Sequence, residues 1–309
     1  MEVGLSLPIK MTGELKELYS INARKIGVKS IWIGDNPPIN NAFMDSARLL
    51  KAISDMEFWI GITSPFYYSL EVLFALSIWS YSNFPKRFGL GLGIGNLDII
   101  NDPEICEKPF TNFKKAVESL LQIVEIRRTK TEYDDFPSIA IGGMGDKMIE
   151  LANEKADYLL LNSISTFDIE RSLKHFHDSS NHRKSHRIIP YGMLQILPEN
   201  GEISLTIWNI CKDIAKNCST TILKNHGYSN KLIKQIRELT WETTSKVPRG
   251  EILRIVNDFG IVGSFDEVQE RFDILKKYKQ GKLINRIVLG WIHSHDQWEE
   301  LKTLIKSLK

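Results

Sequence analysis

Three glycines fall within four positions of IAIGGMGDKMIEL, residues 139–151: Gly142, Gly143 and Gly145, with Met144 between them. An apolar run precedes them and a helical pattern follows. A strand that ends in a glycine-rich turn and opens a helix presents unobstructed backbone N–H groups at the positive end of the helix dipole, which suits an anion such as phosphate. Lys147 adds a positive charge. The turn has neither GxxxxGK[ST] nor GxGxxG spacing, so the competing reading is a tight turn that uses glycine only for its φ freedom. Other chemistry-bearing residues also follow apolar runs: Ser6 and Pro8, Asp35 and Asn36, Thr63 and Ser64, Gly95 and Asn96, Asn162 and Ser163, Gln195, and His293. Asp35 suits proton transfer or the capping of the next segment, and Asp98 and His293 are further candidate donors; asparagine supplies no proton at neutral pH. His175 and His177 have no third ligand at matching spacing, so no metal site is expected. Trp32, Phe58 and Trp59 read as core.

These residues must be held by the elements that precede them. Short β-prone runs alternate with longer stretches of helical period, the pattern of a parallel α/β architecture. The strands read as 2–8, 30–34, 58–63, 87–93, 138–143, 158–162, 188–197 and 285–291. Several are continuously apolar, as strands buried on both faces are. Thr12 reads as an N-cap for a helix ending at Gly27, and Ser264 with Glu267 has the spacing of a capping box for a helix ending at Gly281. Eight βα units predict a single (β/α)8 TIM barrel over residues 1–309. A helical insertion over about 204–257 falls between the seventh and eighth strands. In a barrel the active site lies at the C-terminal ends of the strands, where the residues above cluster.

Composition narrows the partners. The 309 residues carry 40 Lys and Arg against 38 Asp and Glu, a net charge of +2 that argues against a nucleic-acid surface. The cluster His182, Arg183, Lys184, His186, Arg187 reads as a solvated loop. Cys106, Cys211 and Cys218 lack metal or redox spacing and read as reduced thiols. The N-terminus has no signal-peptide pattern, and the longest apolar run, LEVLFALSIW, is too short to span a bilayer. The expectation is a cytoplasmic protein acting on a small molecule, with no membrane or nucleic-acid partner.

PSIAIGGMGDKMIELANEKADYLLLN resembles the P-x-x-x-x-G-x-G-x-K-M-x-x-L-A-x-x-x-A-D-G-x-x-x-N stretch of the luciferase-like family of flavin and deazaflavin oxidoreductases. ARKIGVKSIWIGDN is similar to A-x-x-x-G-F-x-x-x-W-x-x-D-H, and IGITSPF to G-x-T-N-P-Y. RFGLGLGIGN, EKPFTNFKKAVESL and FGIVGSFDEVQERF follow in the family's order. The nearest likeness is to the archaeal branch that uses coenzyme F420, which includes methylenetetrahydromethanopterin reductase. The resemblance implies a barrel with an insertion before strand eight, coenzyme F420 (alternatively FMN) with its phosphate in the turn at Gly142–Gly145, and hydride transfer to or from a small substrate. It places Ser6, Ile62, Thr63, Gly142, Gly143, Met144, Gly145 and Asn162 at the cofactor and Asp35, Asn36 and Asn96 at the catalytic positions. It further implies a non-prolyl cis peptide at Gly61–Ile62 and a homodimer burying NAFMDSARLLKAIS and LEVLFALSIWSYS.

The sequence departs from the pattern where an acid is expected. Asn36 replaces a histidine, Asn96 an acidic residue, and Ser6 and Pro8 occupy the region where the first strand often ends near a carboxylate. The T-N-P run is Thr63-Ser64-Pro65, and TKTEYDDF is shorter than the usual extension. Two alternatives therefore stand beside the F420 oxidoreductase: an FMN-dependent luciferase-like monooxygenase, and a non-catalytic relative that keeps only the binding site.

Overall fold

The computed structural model describes all residues except 9, 38, 131–135, 179–186, 199–200, 240–248, 280–283, 292–297 and 309. In chain order the elements are β1 Glu2–Leu7, α1 Gly13–Lys25, β2 Ser30–Ile33, α2 Ala42–Ala52, β3 Glu57–Thr63, α3 Leu70–Asn83 and β4 Phe88–Leu92. There follow α4 Leu97–Ile100, α5 Pro103–Glu107, α6 Pro109–Lys130, β5 Ser138–Gly143, α7 Asp146–Lys155, β6 Tyr158–Leu161, α8 Thr166–Asp178 and β7 Arg187–Ile196. Four helices come next: α9 Leu205–Asn217, α10 Thr220–Asn225, α11 Asn230–Glu238 and α12 Arg249–Phe259. The chain ends with β8 Gly260–Gly263, α13 Phe265–Lys277, β9 Arg286–Trp291 and α14 Trp298–Ser307.

Eight strands close a parallel ring in the order β1-β2-β3-β4-β5-β6-β7-β9 and back to β1. This is the TIM barrel read from the sequence, and its eight strands are those expected. The ninth strand was not. β8 pairs with Met193–Ile196 of β7, above the point where β6 stops at Pro190. Its four residues, GIVG, are too few to show a period and are bounded by the glycines that usually mark a turn. The Thr12 cap and the Ser264–Glu267 capping box both form. Gly281, His293 and the basic cluster 182–186 lie outside the described residues, as do the side chains of His177 and Arg187. No helix among the described residues is long and apolar enough to cross a membrane.

Alternation along the strands sends Leu5, Ile31, Ile33, Phe58, Ile60, Leu90, Leu92, Ile139 and Ile141 outward, where they are buried under the helices. The inward set is different. Trp32 and Trp59, paired across β2 and β3, stack with ring centroids 4.8 Å apart, and Tyr158 meets Trp59 edge-on at 5.5 Å. Ala140, Leu160, Ile189 and Val288 complete this plug. Gly89 is required here, because a Cβ would collide with the Trp59 ring. Below the plug, Arg286 donates to Glu2 and to Glu57, each at 2.7 Å, and Trp59 Nε1 donates to Glu57 at 3.0 Å.

Above the plug, the inward positions are largely glycine: Gly61, Gly91, Gly93, Gly142 and Gly290. The register of β3 on β4 shifts between Ile60 and Thr63. There the Gly61–Ile62 peptide is cis, as the resemblance implied. Ile62 lies across the neighbouring glycines. A Cβ on Gly93 would strike its Cδ1, and one on Gly91 or Gly142 would come within 3.2 Å of its Cγ2. The glycine repeat of GLGLGIG thus fits one tryptophan below and one isoleucine above.

Candidate active site

The upper rim gathers the strand ends. Asp35, just past β2, is buried; its Oδ1 accepts from Ala42 N at 3.0 Å, at the start of α2, and its Oδ2 accepts from Thr63 Oγ1 at 2.6 Å. Its own N–H donates to the Ile62 carbonyl at 3.0 Å. Asp35 and Thr63 therefore lock the β2 and β3 ends together and seat α2, the capping alternative in the sequence reading. Asn36 is half-buried beside them and bridges to Asn40. Asn96 is exposed; its Oδ1 caps α4 through Asp98 N at 2.9 Å, and its N–H donates to Tyr67 Oη at 2.9 Å. Burial raises the Tyr67 phenol above its ordinary pKa, so it stays protonated. Asp98 is exposed, and Gln195 bonds to Glu202 O and Ser204 N, organising the entry to α9.

The glycine turn needs a correction. None of Gly142, Gly143 and Gly145 has a positive φ; Gly145 has φ −73° and ψ 148°. The φ-freedom reading therefore fails, and the three glycines have separate packing reasons. Gly142 faces Ile62. A Cβ on Gly143 would lie 2.7 Å from Met148 Cβ, so this glycine lets α7 approach β5, and Gly143→Val would test packing rather than binding. Gly145 is the N-cap of α7, supplies no capping side chain, and has nothing within 4 Å of an added Cβ. The first N–H groups of a helix have no intrahelical partner, and here an open space stands before them. Met144 is buried, Asn162 half-buried at the end of β6, and Lys147 exposed with its Nζ over the Phe110 ring.

A buried ionic network that no motif announced backs this turn. Arg171 Nη2 donates to the Met144 carbonyl at 2.5 Å and to Asp168 at 3.3 Å, while Nη1 pairs with Asp146. Asp146 also meets His175 at 3.3 Å, so its carboxylate is engaged away from the open space. Asp168 is wholly buried and accepts from Ser163 at 2.7 Å, Ser165 at 3.0 Å and His226 Nε2 at 2.9 Å. The His226 side chain is 3% exposed, and its Nδ1 lies 3.5 Å from Asp258. Burial would lower the His226 pKa, but the bonds to Asp168 and Asp258 outweigh it and push it up to about 9. Burial would likewise raise Asp168, and the His226 bond, with Ser163 and Arg171, more than offsets it and lowers the carboxyl. At neutral pH the pair is ionised.

Among the described residues, two further hydroxyls face the barrel interior. Ser6 on β1, opposite Gly290, is one. The other, missed by sequence reasoning, is Tyr191 on β7, which packs against the tryptophan plug alongside Ile62. Its position in IIPYGMLQIL alternates in phase with Ile189, the inward signal that was available.

Comparison with known proteins agrees with this fold. No family model matches the chain. A 5,10-methylenetetrahydromethanopterin reductase of Archaeoglobus fulgidus is 24% identical over 301 residues, 90% of each chain. The structure of the coenzyme F420 dependent tetrahydromethanopterin reductase from Methanopyrus kandleri superposes with a TM-score of 0.76 at 17% identity, covering 99% of this chain and 97% of that one. The fold is that of the luciferase-like oxidoreductases. An F420-dependent secondary alcohol dehydrogenase, solved with an F420-acetone adduct, follows at TM-score 0.68 and 14% identity, covering 100% and 99% of the two chains. Three monooxygenases, one of them solved with FMN, share this fold at TM-scores of 0.61 to 0.64 and identities of 11% to 14%. Within that fold the present chain keeps the open turn and a glycine-lined mouth, and carries amides at Asn36 and Asn96.

Proposed function

We propose that this protein is an oxidoreductase that uses coenzyme F420 to move a hydride to or from a small organic substrate, similar to 5,10-methylenetetrahydromethanopterin reductase. The observation that carries the reading is the glycine-lined upper half of the barrel, which ends at an uncapped helix. Five inward glycines give the upper wall no side chains of its own, with Ile62 and Met193 lying across it, and the rim ends at a helix N-terminus with no capping side chain. The residues fit the cofactor: the N–H groups of Asp146 and Lys147 would take its phosphate, with Ile62, Gly93 and Gly142 against the ring. Coenzyme F420 supplies a two-electron hydride carrier when bound. The chain's own part is placement. Asp35 and Thr63 fix the β3 end that carries Ile62, and the network from Arg171 to His226 fixes the turn. Asn36 and Asn96 remain the catalytic-position candidates of the resemblance, and the cap that Asn96 forms on α4 favours a positioning role for it.

The protein belongs in the cytoplasm on this reading and acts as a homodimer. α3 supports the assembly: it turns Leu73, Ser77 and Ser80 to the barrel and leaves Val72 and Trp79 (53% exposed) outside, and α2 leaves Met44 outside (75% exposed). The test is a fluorescence and absorbance titration of purified protein with F420 and with FMN. Micromolar binding of F420 with weak FMN binding is expected. FMN binding alone would move the protein to the monooxygenases, and binding of neither would leave a non-catalytic barrel.

A further inference from the structure

Adding a hydride to a C=O or C=N carbon leaves the heteroatom needing a proton, and neither Asn36 nor Asn96 can give one. The described interior offers another source. Tyr191 Oη rises from β7 to the level of Gly290, whose absent side chain makes room for it: a Cβ there would lie 3.0 Å from Oη and would collide with Met193 Sδ. The phenol's own proton points at Met193 Sδ, 3.4 Å away. A thioether is among the weakest acceptors in a protein, so this bond is readily exchanged for one to an oxygen or nitrogen. Ser6, on β1 across β9 from Tyr191, faces the same interior, and its hydroxyl favours the ionised form of the phenol. The hydroxyl therefore has a weak acceptor in front and a donor behind.

We propose that Tyr191 is the proton donor of this site, with Ser6 as its positioning partner, and that the substrate is a carbonyl or imine-type acceptor. This rests on the F420 reading above. In the step, hydride from the bound reduced cofactor would reach the acceptor carbon. For a carbonyl or neutral imine the π pair moves to the heteroatom, which takes the Tyr191 proton. For a methylene-bridged diamine the Tyr191 proton goes to the nitrogen whose C–N bond breaks, and the hydride neutralises the iminium left on the other nitrogen. In each case the Tyr191 O–H bond breaks, and the phenolate regains its proton from solvent through Ser6. Two electrons and two hydrogens are added in all. Burial pushes the phenol pKa up to about 12, so the residue is in its donating form throughout the physiological range.

The decisive variant is Tyr191→Phe, which removes one oxygen bonded only weakly to the protein. With reduced F420 and either acetone or 5,10-methylenetetrahydromethanopterin as acceptor, kcat should fall about 10²–10⁴-fold, the usual share of general acid catalysis. The F420 dissociation constant and the thermal melt should be unchanged. Ser6→Ala should lower kcat less, and Ser6→Thr, which keeps the hydroxyl, should restore it. Independently of turnover, carbon-13 NMR of ring-labelled tyrosine should show one resonance, assigned by its loss in Tyr191→Phe, still protonated at pH 10.5. Three results overturn the assignment: a Tyr191→Phe enzyme within threefold of the wild-type kcat, a variant that loses F420 affinity or its fold, or a Tyr191 resonance that titrates near 10. Wild type that binds F420 but turns over neither acceptor overturns the substrate class, and wild type that binds no F420 overturns the function reading beneath it.

Discussion

At the lower end of the barrel, β1, β3 and β9 contribute Glu2, Glu57 and Arg286, and the space above them is filled by two stacked tryptophans. At the upper end the same strands contribute Ser6, Gly61 and Gly290. Below, Arg286 is saturated by its bonds to the two carboxylates and by the Trp59 ring, 5.9 Å from its guanidinium carbon. Above, glycines replace inward side chains, and the first N–H groups of α7 have no capping side chain. The tryptophan plug packs the lower half, and the upper half has no comparable layer of inward side chains from its own strand positions. The difference separates residues that hold the fold from residues that wait for a ligand.

The sharpest way to break the comparison is to give the mouth what it lacks. Gly145→Asp adds an N-cap to α7, which should stabilise the protein by about 1 kcal/mol, while placing a carboxylate where the cofactor phosphate would bind. Forfeiting two charge-assisted backbone bonds at about 1.5–3 kcal/mol each predicts an affinity loss of roughly 10²–10⁴-fold. A titration and a melt read the two signs separately; equal affinity with a higher melt would show that no anion binds there. The network behind the turn gives the next effect. The folded His226 pKa, about 9, lies above the ordinary 6.5, so its contribution is complete below pH 6.5 and is lost as pH rises through 9. The shift corresponds to about 3 kcal/mol. Urea unfolding at pH 6.5 and 9.5 should show that loss in the wild type and not in His226→Gln. At the lower end, Arg286→Met removes the cation from Glu2 and leaves Glu57 with its Trp59 bond only. Breaking a buried pair costs about 3–5 kcal/mol; with both carboxylates partly hydrated, about 2–3 kcal/mol is expected. Cofactor affinity should stay within twofold, and a larger change would mean that the two ends are coupled through the plug.

The ring of eight strands was legible because those strands are buried on both faces and read as apolar runs, and the helix caps because Thr12, Ser264 and Glu267 act within one turn. The site was legible only in outline. The position of the glycine turn came from its local spacing, but the reason for each glycine lies in distant partners: Met148 for Gly143, Ile62 for Gly93, Trp59 for Gly89. Tyr191 was hidden because an inward phenol inside an apolar run resembles core. His226 was hidden because its two carboxylates, Asp168 and Asp258, stand 58 residues before and 32 after it in the sequence, and only the barrel brings them together.

β7 is ten residues long; its first half pairs with β6, and its second half takes β8 on the edge that β6 has vacated. The chain leaves β7 at Ile196 and returns to pair Gly260 with Met193. A long excursion is thereby fastened to its own point of departure, and the entropy of closing it is met by contacts next to the exit. Closure entropy grows only with the logarithm of loop length, so helices α9 to α12 can be lengthened, shortened or exchanged while the ring remains undisturbed. Evolution can redraw one wall of the mouth at little cost to the barrel wherever the bond from His226 to Asp168, which ties that wall to the turn, is kept.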